Sequence, residues 1–348
     1  MSSRAGRPDA AATLTRPLVV GCGSIGRRHI RILRALGETE ILAFDVSAEA
    51  RDRMAREFGV TLCETLEDGL DRAPGGVLVC TPPTTHLEIA GMAVRAKCHV
   101  FIEKPLSHAL DGVDELLETA RTAHRIVYVG YNLRFHPGLL QLKRLLDAGA
   151  VDRPMLARIE YGYYLPYWRD IPDYRSNYMV RASMGGGIIL DSSHELDYLR
   201  WLFGEVASVY CEAGKLSDLE METEDSATMI LRMRSGVVAQ VHVDCVQQQY
   251  TRTCKVIGTK GTIVWDHLEG VRHFTSENAA PTSNVEKVSH LYPIRPGFDP
   301  MYVEELRHFI TCVRGADQPQ VTGEDGRRVL EVALAARRSA RERREVLL

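Results

Sequence analysis

Leu18-Val19-Val20 runs directly into Gly21-Cys22-Gly23-Ser24-Ile25-Gly26, and an apolar helical pattern from Ile25 to Leu36 follows, stopped by Gly37. A strand, a G-x-G-x-x-G turn and a helix in that order leave few folds open. Glycine alone often marks only a turn, but here the flanking strand and helix supply the context for an anion site. Missing side chains let backbone N–H groups approach a pyrophosphate at the positive end of the helix. Asp45 ends the next strand-like run, Ile41-Leu42-Ala43-Phe44, and stands 19 residues after Gly26. That is close to the ~20 at which a carboxylate meets adenosine ribose hydroxyls. Gly21, Gly23, Ser24, Ile25, Gly26 and Asp45 are therefore candidate dinucleotide ligands. A carboxylate accepts from ribose hydroxyls and repels a 2′-phosphate, which favours NAD over NADP. Arg51 and Arg53 read as solvated helix charges.

Further along, helix-like residues 48–58, strand 77–80, helix 85–96, strand 99–102, helix 109–123 and strand 126–130 alternate. Such alternation predicts a parallel, doubly wound sheet of the Rossmann type. The rhythm changes after Tyr131. Pro137 is placed to open a helix running to Leu146. Strand-like runs at 156–164, 206–211, 227–232, 237–243 and 253–257 then predict a large, mostly antiparallel sheet. Residues 302–313 and 325–342 read as terminal helices, with Thr322-Gly323-Glu324-Asp325 as an N-cap. At 348 residues the chain exceeds one ordinary core. The expected division is a loose tail over 1–15, a dinucleotide-binding domain over 16–131 and an α/β substrate and oligomerisation domain over 132–348.

Hydrophobic content of 45% and charged content of 26% suit a soluble globular protein. A net charge of −3 gives no reason to expect nucleic acid or an anionic membrane as partner. No run approaches the ~18 apolar residues of a membrane span, and the first residues carry Arg4, Arg7 and Arg16 without a signal-peptide core. Eight cysteines without a Cys-x-x-Cys pair read as buried thiols of a cytoplasmic protein.

Chemistry concentrates in three places. Thr81-Pro82-Pro83 with His86 ends the fourth strand and, beyond a stiff turn, suits the ribose and nicotinamide side of a cofactor. Glu103-Lys104-Pro105 closes strand 99–102 at the ligand-binding end of the sheet. The Lys104 ammonium there is suited to hold a substrate hydroxyl and stabilise an alkoxide. The segment from Gly185-Gly186-Gly187 to Gly204 reads as one helix with Asp191, His194 and Asp197 on a common flank. A carboxylate beside an imidazole orients the ring for acid/base work. A capping box of Ser192 with Glu195 is the plain reading of the same helix start, and a metal site from the three flank residues is a minor alternative. Tyr161, Tyr163, Tyr164, Tyr167, Trp168, Tyr174 and Tyr178 crowd the segment before it, with Arg169 and Asp170 interleaved. They read equally as core packing or as a sugar-binding wall.

In combination these motifs resemble the glucose-fructose oxidoreductase/inositol dehydrogenase/MocA family. The matching pieces are the glycine turn with His29, Cys80 to His86, Glu103-Lys104-Pro105-Leu106, and Gly130-Tyr131-Asn132-Leu133-Arg134-Phe135. The triple glycine leading to Asp191 and His194 and Gly258-Thr259-Lys260-Gly261-Thr262 complete the set, over roughly residues 17–346. The resemblance implies a Rossmann domain, a second α/β domain whose open sheet makes a homodimer or homotetramer, and no metal. It also implies NAD(P)-linked oxidation or reduction of a sugar, inositol or related polyol. Lys104 and His194 would be the acid/base pair, supported by Asp191, with Trp168 and Arg169 toward the substrate. Thr81, Pro82, Pro83, His86, Glu103, Lys104 and Asn132 would line the cofactor. Many members place three residues between the aspartate and the histidine, where this chain has only Ser192 and Ser193. A non-catalytic NAD-binding sensor and a redox-neutral hydrolase or lyase with retained NAD are the alternatives.

Overall fold

In a computed structural model of the chain, residues 14–168, 173–275, 290–292 and 299–348 are described. Six parallel strands form the first sheet: β1 (Leu18–Val20), β2 (Leu42–Phe44), β3 (Thr61–Leu62), β4 (Gly76–Val79), β5 (His99–Glu103) and β6 (Val127–Gly130). Their spatial order is β3-β2-β1-β4-β5-β6. The order reverses between β1 and β4, and open α/β sheets bind ligands outside the carboxyl ends of strands at such a reversal. β1, β4 and β6 are buried along their whole length, as strands covered on both faces must be. Helices Ser24–Ala35, Ala48–Phe58, His86–Arg95 and Val113–Thr122 connect them. β3 and helix Leu66–Asp71 escaped the sequence reading, because two and six residues are too few to show a period. The expected tail also stops short of residue 15. Leu14 is buried and its N–H donates to Glu38 Oε1 at 2.6 Å, while residues 1–13 lie outside the described residues.

The second sheet has nine strands among the described residues: β7 (Pro154–Gly162), β8 (Val206–Gly214), β9 (Ser226–Met233), β10 (Val238–Asp244), β11 (Thr251–Gly258), β12 (Gly261–Asp266), β13 (Gly270–Thr275), β14 (His290–Tyr292) and β15 (Val346–Leu347). They lie in the order β14-β13-β12-β11-β7-β10-β9-β8-β15, antiparallel throughout except for the β7–β10 pair. Ala157, Ile159 and Tyr161 point inward while Leu156, Arg158 and Glu160 point out, the period of two expected of a sheet covered on one face. On the outer face Leu156, Tyr210 and Ile230 remain 42%, 41% and 50% exposed.

The last two helices, Asp299–Val313 and Gly323–Glu342, return to the first sheet. The Phe309 ring lies 5.6 Å from Phe101 on β5 and 5.7 Å from Tyr128 on β6. The Arg28 guanidinium sits 4.5 Å above the Tyr302 ring. Thr322 and Asp325 form the expected capping box. Arg134, after β6, donates to Asp197 at 2.6 Å and to the Gln320 carbonyl at 2.7 Å, and lies 3.2 Å from Asp325. The end of the first sheet is therefore tied to later helices by side chains as well as by the backbone. No helix among the described residues is long and apolar enough to cross a membrane.

Candidate active site

The glycine turn sits at the carboxyl end of β1 and opens helix Ser24–Ala35, whose N-cap Gly23 offers no side-chain cap. A Cβ on Gly26 would lie 1.9 Å from the Gly21 carbonyl oxygen, so the turn closes only with glycine there. A Cβ on Gly23 would meet nothing within 4 Å. The protein's own packing does not require that glycine, whereas a cofactor phosphate approaching the uncapped helix end would. Asp45 lies beside the turn and accepts from the Cys22 N–H at 2.7 Å and the Ser47 N–H at 2.8 Å. Arg51 is not a free surface charge: its guanidinium donates to the Asp45 carbonyl at 2.6 Å. Uncapped helix end, cradle and carboxylate fit a dinucleotide.

Lys104 follows β5, and its peptide bond to Pro105 is cis. Its Nζ donates to the Asp191 backbone carbonyl at 2.6 Å and to Asp191 Oδ1 at 3.2 Å. The same carboxylate accepts from the Tyr178 hydroxyl at 2.6 Å and the Tyr163 hydroxyl at 3.3 Å. Lys104 comes from the parallel sheet, Tyr163 from the end of β7 and Tyr178 from a short turn, so three elements converge on one carboxylate. His194 is buried next to them, edge-on to Tyr131 at 5.6 Å, and its Nδ1 has no partner within the protein. Burial pulls its pKa well below 6.5; the charges of Lys104 and Arg252 add to that fall, and Asp191 opposes it. The ring is neutral at neutral pH and can accept a proton.

Several expected roles change. The helix expected across 189–203 breaks at Ser192 into Ile188–Asp191 and Ser193–Phe203. The break separates Asp191 from His194 and Asp197, and Asp197 is taken up by Arg134. The Ser192–Glu195 capping box is absent as well. Glu195 is fully buried and accepts from Arg252 Nε at 2.8 Å, and the Arg252 guanidinium stacks 3.9 Å over the Tyr161 ring. His86 is buried and spans two carbonyls, Thr81 at 2.8 Å and Pro105 at 2.9 Å. It braces the loops after β4 and β5. Glu103 likewise turns inward to His29 Nε2 at 2.5 Å and its own neighbour's N–H. Burial pushes its carboxyl up, but His29 and Lys104 bring it below the ordinary value. Asn132 is buried beside Tyr302. Trp168 stacks on Tyr250 at 5.4 Å and packs on Tyr163 at 4.4 Å, so the aromatic segment is at least partly core. Arg169 and Asp170 lie outside the described residues.

Sequence reasoning named neither Arg252 nor Tyr250. The motif Tyr250-Thr251-Arg252 alternates as a strand does, and an arginine on the inward phase of that alternation was the available signal.

A parallel sheet reversing beside a glycine turn, with a lysine and a neutral histidine at its ligand-binding end, defines a nucleotide-dependent oxidoreductase. Residues 15–131 match the oxidoreductase family with an NAD-binding Rossmann fold, and residues 139–264 match the GFO/IDH/MocA C-terminal domain. The myo-inositol 2-dehydrogenase of Thermotoga maritima is 32% identical over 95% of this chain and 97% of its own length. The scyllo-inositol 2-dehydrogenase (NAD(+)) of Bacillus subtilis is 29% identical over 94% of each. The fold is shared with the WlbA dehydrogenase of Bordetella pertussis, solved with NADH and UDP-GlcNAcA, at a TM-score of 0.80 and 23% identity, over 96% of this chain and 99% of that one. The chain belongs to the glucose-fructose oxidoreductase/inositol dehydrogenase/MocA family of NAD-binding oxidoreductases.

Proposed function

We propose that the enzyme transfers hydride between NAD(H) and a secondary alcohol or ketone on an inositol, a sugar or a nucleotide sugar. The observation that carries this reading is the Lys104 ammonium, fixed by Asp191 beside a neutral buried His194 at the carboxyl end of β5. NAD, when bound, supplies the hydride acceptor at its nicotinamide. Lys104 directs an N–H toward the substrate oxygen and stabilises the negative charge that grows there. His194 accepts the hydroxyl proton at a ring nitrogen, and in the reductive direction it returns that proton to the carbonyl oxygen. Asp191 holds Lys104 in place. The two inositol dehydrogenases among the relatives support a cyclitol as first choice.

NADH formation across myo-inositol, scyllo-inositol, free hexoses and nucleotide sugars tests the reading. Turnover is expected with at least one of them, and His194→Asn is expected to lower it by about 10²-fold or more. The sign of the pH dependence follows from the depressed pKa: His194 is active when neutral, so turnover is level from neutral pH upward and falls only in acid, below 6.5. A rate limb centred above neutrality that vanishes in His194→Asn would contradict the neutral-ring assignment.

Asp45 supports NAD over NADP. NAD is expected to bind tighter by about 1–3 kcal/mol, the cost of a charge left unpaired, and Asp45→Ser to narrow the gap in titration calorimetry. Equal affinities in the wild type would refute the assignment. We further propose that the outer face of the nine-stranded sheet, with Leu156, Tyr210 and Ile230 exposed, joins copies of the chain as a homodimer or homotetramer. Sedimentation of the wild type as a monomer at micromolar concentration would exclude that. We also propose a cytoplasmic location, which the eight buried free thiols support.

A further inference from the structure

Three consecutive glycines, Gly185, Gly186 and Gly187, lead into the helix that carries Asp191. That helix, Ile188–Asp191, has only four residues, and a helix so short does not hold itself. Burial of Ile188, Ile189 and Leu190 keeps it inside, but apolar burial is non-directional. Its direction comes from the hydrogen bonds of its first turn. The Gly187 N–H donates to the Met179 carbonyl at 2.8 Å, and the Ile188 N–H to the Glu224 carbonyl at 3.0 Å. The Ile189 N–H donates to Glu224 Oε1 at 3.3 Å. Glu224 thus receives two of the N–H groups that a helix start leaves without intrahelical partners.

Glu224 is itself held from near the end of the chain. Arg337, on helix Gly323–Glu342, donates to Glu224 Oε1 from Nε at 3.0 Å and from Nη2 at 2.7 Å. The same Nη2 donates to the Gly186 carbonyl. One partly buried guanidinium therefore holds both the glycine strip and the carboxylate at the helix start. A Cβ on Gly187 would lie 2.3 Å from Arg337 Nη2 and 2.4 Å from Glu224 Oε1, so the third glycine leaves room for this clamp. The residues beside Glu224 are fixed as well. The Thr223 hydroxyl donates to the Met179 carbonyl at 2.7 Å, and Asp225 accepts the Leu216 and Ser217 N–H groups at 2.8 and 2.9 Å. From the clamp to the site is one helical turn. The Asp191 N–H donates to the Gly187 carbonyl at 3.0 Å, and the Asp191 carbonyl and carboxylate both accept from Lys104 Nζ.

We propose that Arg337 and Glu224 are positioning residues for Lys104, acting through helix Ile188–Asp191. This rests on the dehydrogenase reading above and on the role it gives Lys104. The pair sets where Asp191 presents its carbonyl and carboxylate, and with them the direction in which the Lys104 ammonium points. A misplacement of about 1 Å at a reacting group costs roughly 10² in rate, so a clamp one turn away is close enough to matter. In this reading Arg337 and Glu224 touch neither substrate nor cofactor.

The test uses the full chain with whichever panel substrate the wild type oxidises. Arg337→Ala and Glu224→Ala are each expected to lower turnover by about 10- to 100-fold, while KM and NAD affinity stay within about threefold. Glu224→Gln keeps an oxygen for the Ile189 N–H and is expected to recover most of what Glu224→Ala loses. The deciding measurement is a double-mutant cycle read as single-turnover NADH formation with enzyme in excess. In a Lys104→Ala background, Arg337→Ala is expected to cost less than about twofold, because no ammonium is left to aim. A merely structural pair would cost the same factor in both backgrounds, and that result would overturn the proposal. So would wild-type turnover in Arg337→Ala, no recovery in Glu224→Gln, or circular dichroism showing both alanine variants unfolded. If Lys104→Ala is impaired while Arg337→Ala is normal, this inference is wrong and the dehydrogenase reading stands. A wild type that oxidises nothing in the panel, or a fully active Lys104→Ala, removes the ground on which the inference rests and overturns both.

Discussion

Lys104→Ala is expected to lower the turnover number by about 10²–10⁴, the size of a lost electrostatic and acid/base contribution. Affinity for NAD should change by less than about threefold, because the uncapped helix end and the glycine turn, which would carry the pyrophosphate, are untouched. The variant also releases Asp191, whose oxygens keep Tyr178 and Tyr163 as donors, so the fold should survive. Steady-state kinetics beside NAD titration checks both halves of the statement. Near-normal turnover would leave the lysine a structural clamp and move the chemistry to His194 alone.

Arg252→Ala is expected to destabilise the protein by about 3–5 kcal/mol, the range for breaking a buried ion pair from one side. Glu195 has no exposure to water, and its Oε2 already lacks a partner within the protein. Burial works against the Arg252 charge, but Glu195 and Tyr161 beside it hold the guanidinium above its ordinary pKa. Removing it strands the carboxylate and takes away the ring stack on Tyr161. Urea denaturation measures the loss, and replacing both partners by methionine should recover most of it. A loss below about 1 kcal/mol would mean that Glu195 finds another donor. The variant carries a second mark: Arg252 helps to depress the His194 pKa, so the acid limb of the rate profile should move upward.

The parts of the site that were legible in the sequence are those whose partner is the backbone close by. The glycine turn announces itself because Gly26 must pass its own Gly21 carbonyl, five residues back. Lys104 could be placed because a strand end fixes where a side chain emerges. Thr322 and Asp325 cap their own helix and were visible for the same reason. What escaped depends on partners far off in the chain. Glu195 meets Arg252 across 57 residues, Arg134 meets Asp197 across 63, and His86 finds a carbonyl 19 residues on. The local pattern offered Glu195 a capping serine and Asp197 a flank shared with His194, and packing supplied each with an arginine instead. The break at Ser192 escaped because every residue around it is compatible with helix.

The return of the final helices to the first sheet bears on how the chain is made. Phe101 and Tyr128 leave the ribosome well before Phe309, which covers them and is translated about 180 residues after Tyr128. At roughly 5–20 residues per second that is a delay of about 10–35 seconds. During that interval the nascent dinucleotide half presents an aromatic surface with nothing to lie on it. Its last face closes only once Phe309 has been made, so the half that would hold the cofactor is begun before the second sheet and finished after most of it.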